Sequence, residues 1–271
     1  EELSELLSSS KISTKELVLH LLDRSKKLDP NLNVWVTLNP NLETENYSQE
    51  SSSKLAGVPI GIKDIYCTRD IRTTCGSPIY ENYEPGYDAR TVKMLRDSKA
   101  VIMGKTVTTQ FACGDPPPTK NPWNFSRTPG GSSSGSAVGV ASGMFPAALG
   151  SQTAGSVLRP ASYNGIVGFK PTYGLVSRQG VFPVALSLDT MGWFTRSVKD
   201  AAILLQYLSG YDAEDKDSVE VDSKPYISIP KPISRPPHIG VVEDFYYENS
   251  DQSTMKNFAL LLERLSKAGA I

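Results

Sequence analysis

Three kinds of residue in this chain have the types and spacing to do chemistry: serines in glycine-rich turns, a lysine inside an apolar run, and an arginine just after one of those turns. The stretch Ser151-Gln152-Thr153-Ala154-Gly155-Ser156-Val157-Leu158-Arg159-Pro160 is a turn of small residues leading into a helix expected to begin near Ser156. Consecutive N–H groups at a helix entry point outward, with the positive end of the helix dipole behind them. That arrangement suits an oxyanion hole. Ser156 stands beside it as a nucleophile, and the N–H groups of Thr153, Ala154, Gly155 and Ser156 are the expected oxyanion donors.

A serine hydroxyl is a poor nucleophile at neutral pH and needs a base. Histidine is scarce, with only His20 and His238 in the chain. His20 lies near the apolar stripe of an N-terminal helix and reads as a packed, non-catalytic residue. Lys63 lies in Val58-Pro59-Ile60-Gly61-Ile62-Lys63-Asp64-Ile65, a strand-like apolar run. Burial there would depress the lysine pKa from its usual value of about 10.4. An edge-strand lysine that snorkels to water fits the same pattern equally well.

Other motifs lead nowhere. Gly104-Lys105-Thr106 ends like a nucleotide-binding loop, but Lys99 occupies the position of the required glycine and a strand takes the place of the phosphate cradle. Ser51-Ser52-Ser53-Lys54 matches S-x-x-K within a polar run that reads as surface loop. Gly131-Ser132-Ser133-Ser134-Gly135 matches the G-x-S-x-G elbow, but that elbow needs a strand immediately before it, where Asn124 to Pro129 read as loop.

Around these residues, helices and strands alternate. Ser13 and Glu16 form a capping box that opens a helix, with Asp29-Pro30 expected to stop it, so that residues 1–30 are a helical segment. Val34–Leu38, Val58–Ile65 and Ala100–Met103 read as strands, and residues 88–99 as a helix. Ser136 to Gly143 reads as a tightly packed small-residue helix. Ser197 opens another helix, Ile239–Val242 reads as a buried strand, and residues 251–268 as an amphipathic helix. Residues 39–54 read as a solvated helix or loop, residues 115–129 as a turn-rich loop, and the proline-rich 212–237 as an ordered excursion or a mobile surface loop. The pattern predicts one α/β domain over 1–271, a mixed central sheet covered by helices on both faces.

Composition supports a globular chain. Of 271 residues, 39% are hydrophobic and 21% charged, which excludes collagen, coiled coil and wholesale disorder. A net charge of −1 excludes a strong electrostatic footprint for nucleic acid or acidic lipid, and no apolar run is long enough to span a membrane. Three cysteines, with no Cys/His cluster at zinc spacing, predict neither a disulfide scaffold nor a metal.

The motifs Gly130–Ser136, Gly150–Ser156 and Gly165–Gly174, with Pro59–Asp64 upstream and Ser187–Thr190 downstream, resemble the signature of the amidase signature family over nearly the whole chain. The resemblance implies a Ser–cis-Ser–Lys triad: Lys63 as base, Ser132 as relay and Ser156 as nucleophile. It implies an acyl-enzyme mechanism on a small-molecule amide, without a cofactor. Gln152 stands where many members carry Asp, and Ala154 where many carry Gly. Arg159 lies three residues after Ser156, as in the malonamidase-like branch, and with Gly131 is expected to bind substrate through a carboxylate. The alternative for Arg159 is pairing with a protein carboxylate or capping backbone carbonyls.

The resemblance also implies a longer domain, truncated here at its C-terminal end. Two other functions stay open: the A subunit of a tRNA-dependent amidotransferase, which shares the triad, and an inactive scaffold. A homodimer is left open as the assembly. A cytoplasmic location is expected, and both ends of the chain look cut.

Overall fold

The computed structural model describes residues 1–45, 47, 51–114, 116–221, 225–228 and 235–271. Parts of the three predicted loops (Asn46, residues 48–50, Asp115, residues 222–224 and 229–234) therefore lie outside the described residues. The chain divides into two compact units, Glu1–Ile227 and Ser228–Ile271, where the sequence pattern predicts one.

In the first unit, α1 (Glu2–Ser8) and α2 (Thr14–Leu32) precede β1 (Trp35–Leu38). The predicted capping box opens α2: Ser13 accepts from the Glu16 N–H, and Glu16 reaches back to the Ser13 N–H. Pro30 does not stop this helix, because it sits in the last turn and Asn33 ends it in the left-handed conformation at φ 52°. Asp29 Oδ1 then accepts from the N–H groups of Val34 and Trp35 and turns the chain into β1. His20 is exposed on α2 rather than packed, because its position falls just outside the stripe formed by Val18, Leu21 and Leu22.

β2 (Pro59–Lys63), α3 (Arg90–Asp97), β3 (Val101–Thr106), α4 (Ser134–Ala141), β4 (Ala147–Gln152), α5 (Leu158–Asn164), β5 (Val167–Phe169), β6 (Thr190–Thr195) and α6 (Val198–Leu208) complete the unit. The six strands form one mixed sheet in the order β1-β3-β2-β4-β6-β5. β2 runs parallel to both β3 and β4, while β1, β6 and β5 pair antiparallel to their neighbours.

Helices cover both faces, as predicted. Ile60, Ile62, Leu149 and Trp193 pack on one face with Val92 and Leu95 of α3 and Ala201 and Leu204 of α6. On the other, Ala137, Val138 and Val140 of α4 pack with Ala148, Phe194 and Ala161 of α5. Burying such side chains contributes about 1.5–3 kcal/mol for each large aliphatic or aromatic one. The small residues of α4 are explained by close approach: a Cβ on Gly135 would lie 2.4 Å from the Val34 carbonyl oxygen and 2.5 Å from the Val107 nitrogen.

The second unit holds α7 (Phe245–Glu248) and α8 (Gln252–Lys267). α8 matches the predicted helix, with Asp251 as its N-cap, but buries none of its residues. Ile239–Val242 is an exposed, irregular segment rather than a buried strand. A short apolar run carries no information on whether a partner strand exists to pair with it. No helix among the described residues is long and apolar enough to cross a membrane.

Candidate active site

The carboxyl end of β2 delivers Lys63. The register of β2 on β3 sets Lys63 beside Thr106 and Ile62 beside Lys105, so strand alternation sends the two lysines to opposite faces of the sheet. Lys63 is fully buried and does not snorkel. Its Nζ donates to Ser132 Oγ at 2.7 Å and to Ser151 Oγ at 2.8 Å. Burial pushes the Lys63 amine down to about 7, against the opposing pull of the Asp189 carboxylate. A lysine so placed holds a substantial neutral fraction at neutral pH, which a general base requires.

Ser132 follows a cis peptide bond from Gly131 and lies just before the start of α4. Its carbonyl accepts from the Thr109 N–H at 3.2 Å, which ties this loop to the segment after β3. A Cβ on Gly150 would lie 2.6 Å from the Phe194 ring and 3.0 Å from Ser133 Oγ, so β4 packs closely against both Phe194 and the serine loop.

β4 ends at Gln152, and α5 begins at Leu158. The turn between them carries Thr153, Ala154, Gly155 and Ser156. It is pinned at both ends. Gln152 Oε1 accepts from the N–H groups of Val157 and Leu158, each at 2.9 Å, and so caps the start of α5. At the other end, Thr153 Oγ1 donates to Asp189 Oδ1. Ala154 is not among the non-glycine residues at positive φ, which is the condition for tolerating alanine there.

Among the described residues, the N–H groups of Thr153 to Ser156 donate to no protein acceptor. Oxyanion donors must be free in this way before substrate arrives. Ser156 is half-buried in this turn, and its hydroxyl has no hydrogen-bond partner among the described residues. The Lys63–Ser132 hydrogen bond of the expected triad is therefore formed, and the Ser132–Ser156 hydrogen bond is not.

Arg159 donates to the Gly131 carbonyl oxygen, from Nε at 3.2 Å and from Nη2 at 2.7 Å. It thus caps a backbone carbonyl of the loop that carries Ser132 and meets no protein carboxylate among the described residues. The two expected substrate-binding residues are joined to each other.

Sequence reasoning missed Ser151, a hydroxyl inside an otherwise apolar strand, and the position of Asp189. It also missed a buried ion pair. Lys105, set aside as a nucleotide-binding lysine, is fully buried 3.3 Å from Asp64 Oδ1 and donates to Thr73 Oγ1 and the Tyr66 carbonyl at 2.6 Å each. A lysine and an aspartate on neighbouring apolar strands were the available signal.

Comparison with known proteins identifies the family. The family model described as Amidase matches residues 16–271. The chain is 42% identical to the A subunit of glutamyl-tRNA(Gln) amidotransferase from Gloeothece citriformis, over 99% of this chain and 59% of that protein. The crystal structure of the A subunit of glutamyl-tRNA(Gln) amidotransferase from Thermotoga maritima superposes with a TM-score of 0.88 at 39% identity, covering 98% of this chain and 59% of the other. The peptide amidase from Stenotrophomonas maltophilia superposes with a TM-score of 0.84 at 29% identity, covering 99% of this chain and 60% of the other. The chain thus spans about three fifths of the length of these relatives. With the family model matched over residues 16–271 and the same fold in solved members, the chain belongs to the amidase signature family.

Proposed function

We propose that this chain carries the catalytic serines and lysine of an enzyme that hydrolyses a carboxamide to a carboxylate and ammonia or an amine. The observation that carries the reading is the buried Lys63 amine, 2.7 Å from Ser132 Oγ and lowered to about 7. Neutral Lys63 takes the Ser132 proton as Ser132 takes that of Ser156. The Ser156 oxygen attacks the amide carbon, and the free N–H groups of residues 153–156 hold the oxyanion. The relay returns the proton to the leaving nitrogen as the C–N bond breaks. Water, deprotonated by the same relay, then cleaves the ester and restores Ser156. Arg159, beside this turn with a guanidinium that is partly exposed, is the proposed holder of a carboxylate on the substrate.

The most similar relatives favour a second reading over a free-standing amidase. Several of the most similar curated relatives are named as the A subunit of glutamyl-tRNA(Gln) amidotransferase, at 38–42% identity. The same serine chemistry would there release ammonia from an amide donor for use by a larger assembly. The deciding experiment purifies the full-length protein from its source. Hydrolysis of simple amides by an isolated chain supports the first reading. Copurification with two other chains, and amide hydrolysis that depends on them, supports the second. A folded protein inactive in both settings overturns both.

A further inference from the structure

The Ser187–Thr190 motif carries an acid that this mechanism leaves unused. Asp189 is buried, at 6% exposure, and both carboxylate oxygens are engaged. Oδ1 accepts from Thr153 Oγ1. Oδ2 accepts from the N–H groups of Val184 at 2.8 Å and Ala185 at 2.9 Å. The next residue, Thr190, opens β6 and pairs with Gln152. The carboxylate therefore stands where the 184–189 loop meets the start of the candidate oxyanion turn. Burying a carboxylate is costly unless donors compensate it, and here one of those donors belongs to the turn itself.

The charges around Lys63 single out the same residue. Asp64 is tied to Lys105. Arg159 is committed to the Gly131 carbonyl. The direct partners of Lys63 Nζ, Ser132 and Ser151, are neutral hydroxyls. Asp189 is the carboxylate whose charge reaches the Lys63 amine and opposes the effect of burial.

Building on the amide-hydrolysis reading, we infer that Asp189 is a positioning residue of this site, holding the Thr153–Ser156 turn through the Thr153 hydroxyl. Its carboxylate touches no reacting atom. It fixes the donors for the oxyanion and favours the ammonium form of the base, so its removal has two separable effects.

The test compares wild type, Asp189→Asn and Thr153→Val in the full-length protein. It measures amide turnover against pH and the rate of Ser156 labelling by a fluorophosphonate. Asp189→Asn is expected to lower kcat about 10- to 100-fold, with KM changed much less, and to move the acid limb of the rate profile to lower pH. Thr153→Val is expected to lower kcat and the labelling rate while leaving the acid limb in place. A purely structural aspartate would reduce the folded fraction and leave the acid limb of the surviving enzyme unmoved, which overturns the inference. If Asp189→Asn does not fold, Thr153→Val decides: labelling at the wild-type rate overturns the inference. Wild-type protein that neither turns over amides nor takes label overturns the hydrolase reading itself, and this inference with it.

Discussion

The guanidinium of Arg159 grips the carbonyl oxygen of Gly131 with two of its nitrogens. One residue from the entry of α5 is thereby joined to the loop that carries Ser132. The remaining N–H groups of the guanidinium are the proposed contacts to a substrate carboxylate. Arg159→Ala is expected to raise KM for amides of dicarboxylic acids by roughly 10- to 150-fold, the value of a charge-assisted contact of about 1.5–3 kcal/mol, and to affect neutral amides much less. Steady-state kinetics on matched acidic and neutral amides checks this. An equal loss on both classes assigns Arg159 to holding Gly131 alone.

Ser156→Ala is expected to lose amide turnover by about 10³-fold or more and to lose fluorophosphonate labelling. Mapping of the wild-type adduct by mass spectrometry should find it on Ser156. An adduct on another serine rules out the assigned nucleophile.

Lys63 gives the pH dependence its sign. The base works only when neutral, and its neutral fraction rises as pH rises through about 7. Turnover is therefore expected to climb through about pH 7 and then level off. The same shift makes stability rise with pH between about 7 and the unfolded lysine value of about 10.4, where the unfolded chain binds the extra proton. Lys63→Met is expected to abolish turnover and to flatten that stability slope, as read by urea denaturation at several pH values.

Ser151 Oγ shares the Lys63 amine with Ser132. Ser151→Ala should leave the amine with one fewer partner and a looser aim at Ser132. A kcat loss of about 10-fold is expected, the value of one hydrogen bond of roughly 1–1.5 kcal/mol, with little change in KM. An unchanged kcat would remove Ser151 from the site.

Gly135→Ala tests the packing beneath the serine loop. The added methyl would meet the Val34 carbonyl oxygen at 2.4 Å and the Val107 nitrogen at 2.5 Å, both of them backbone atoms that cannot swing aside. A destabilisation of about 1–3 kcal/mol is expected, measurable by chemical denaturation.

Much of this was legible in the residues because small side chains, caps and apolar periodicity are local signals. The Ser13 capping box opens α2, and the glycine-serine runs fall where chain segments touch. The family motifs led to Lys63 and Ser132, which the fold brings within hydrogen-bond distance. The missed features are products of tertiary pairing. Ser151 reaches Lys63 only because β2 and β4 are neighbours, and Asp189 reaches Thr153 only because β6 returns beside β4. His20 and Ile239–Val242 failed for a related reason. A residue near an apolar stripe, or an apolar run of four, does not state whether anything packs on it.

Gln152 decides how the site meets acid. An aspartate in its place would hold the N–H groups of Val157 and Leu158 most strongly while ionised, and more weakly once protonated. The amide oxygen of Gln152 holds both N–H groups at any ordinary acidity. At its Gln152 end the mooring of this turn is thus free of any titrating group. When the medium acidifies, the proposed turnover is expected to cease with Gln152 still holding the start of α5, and to resume as Lys63 sheds its proton.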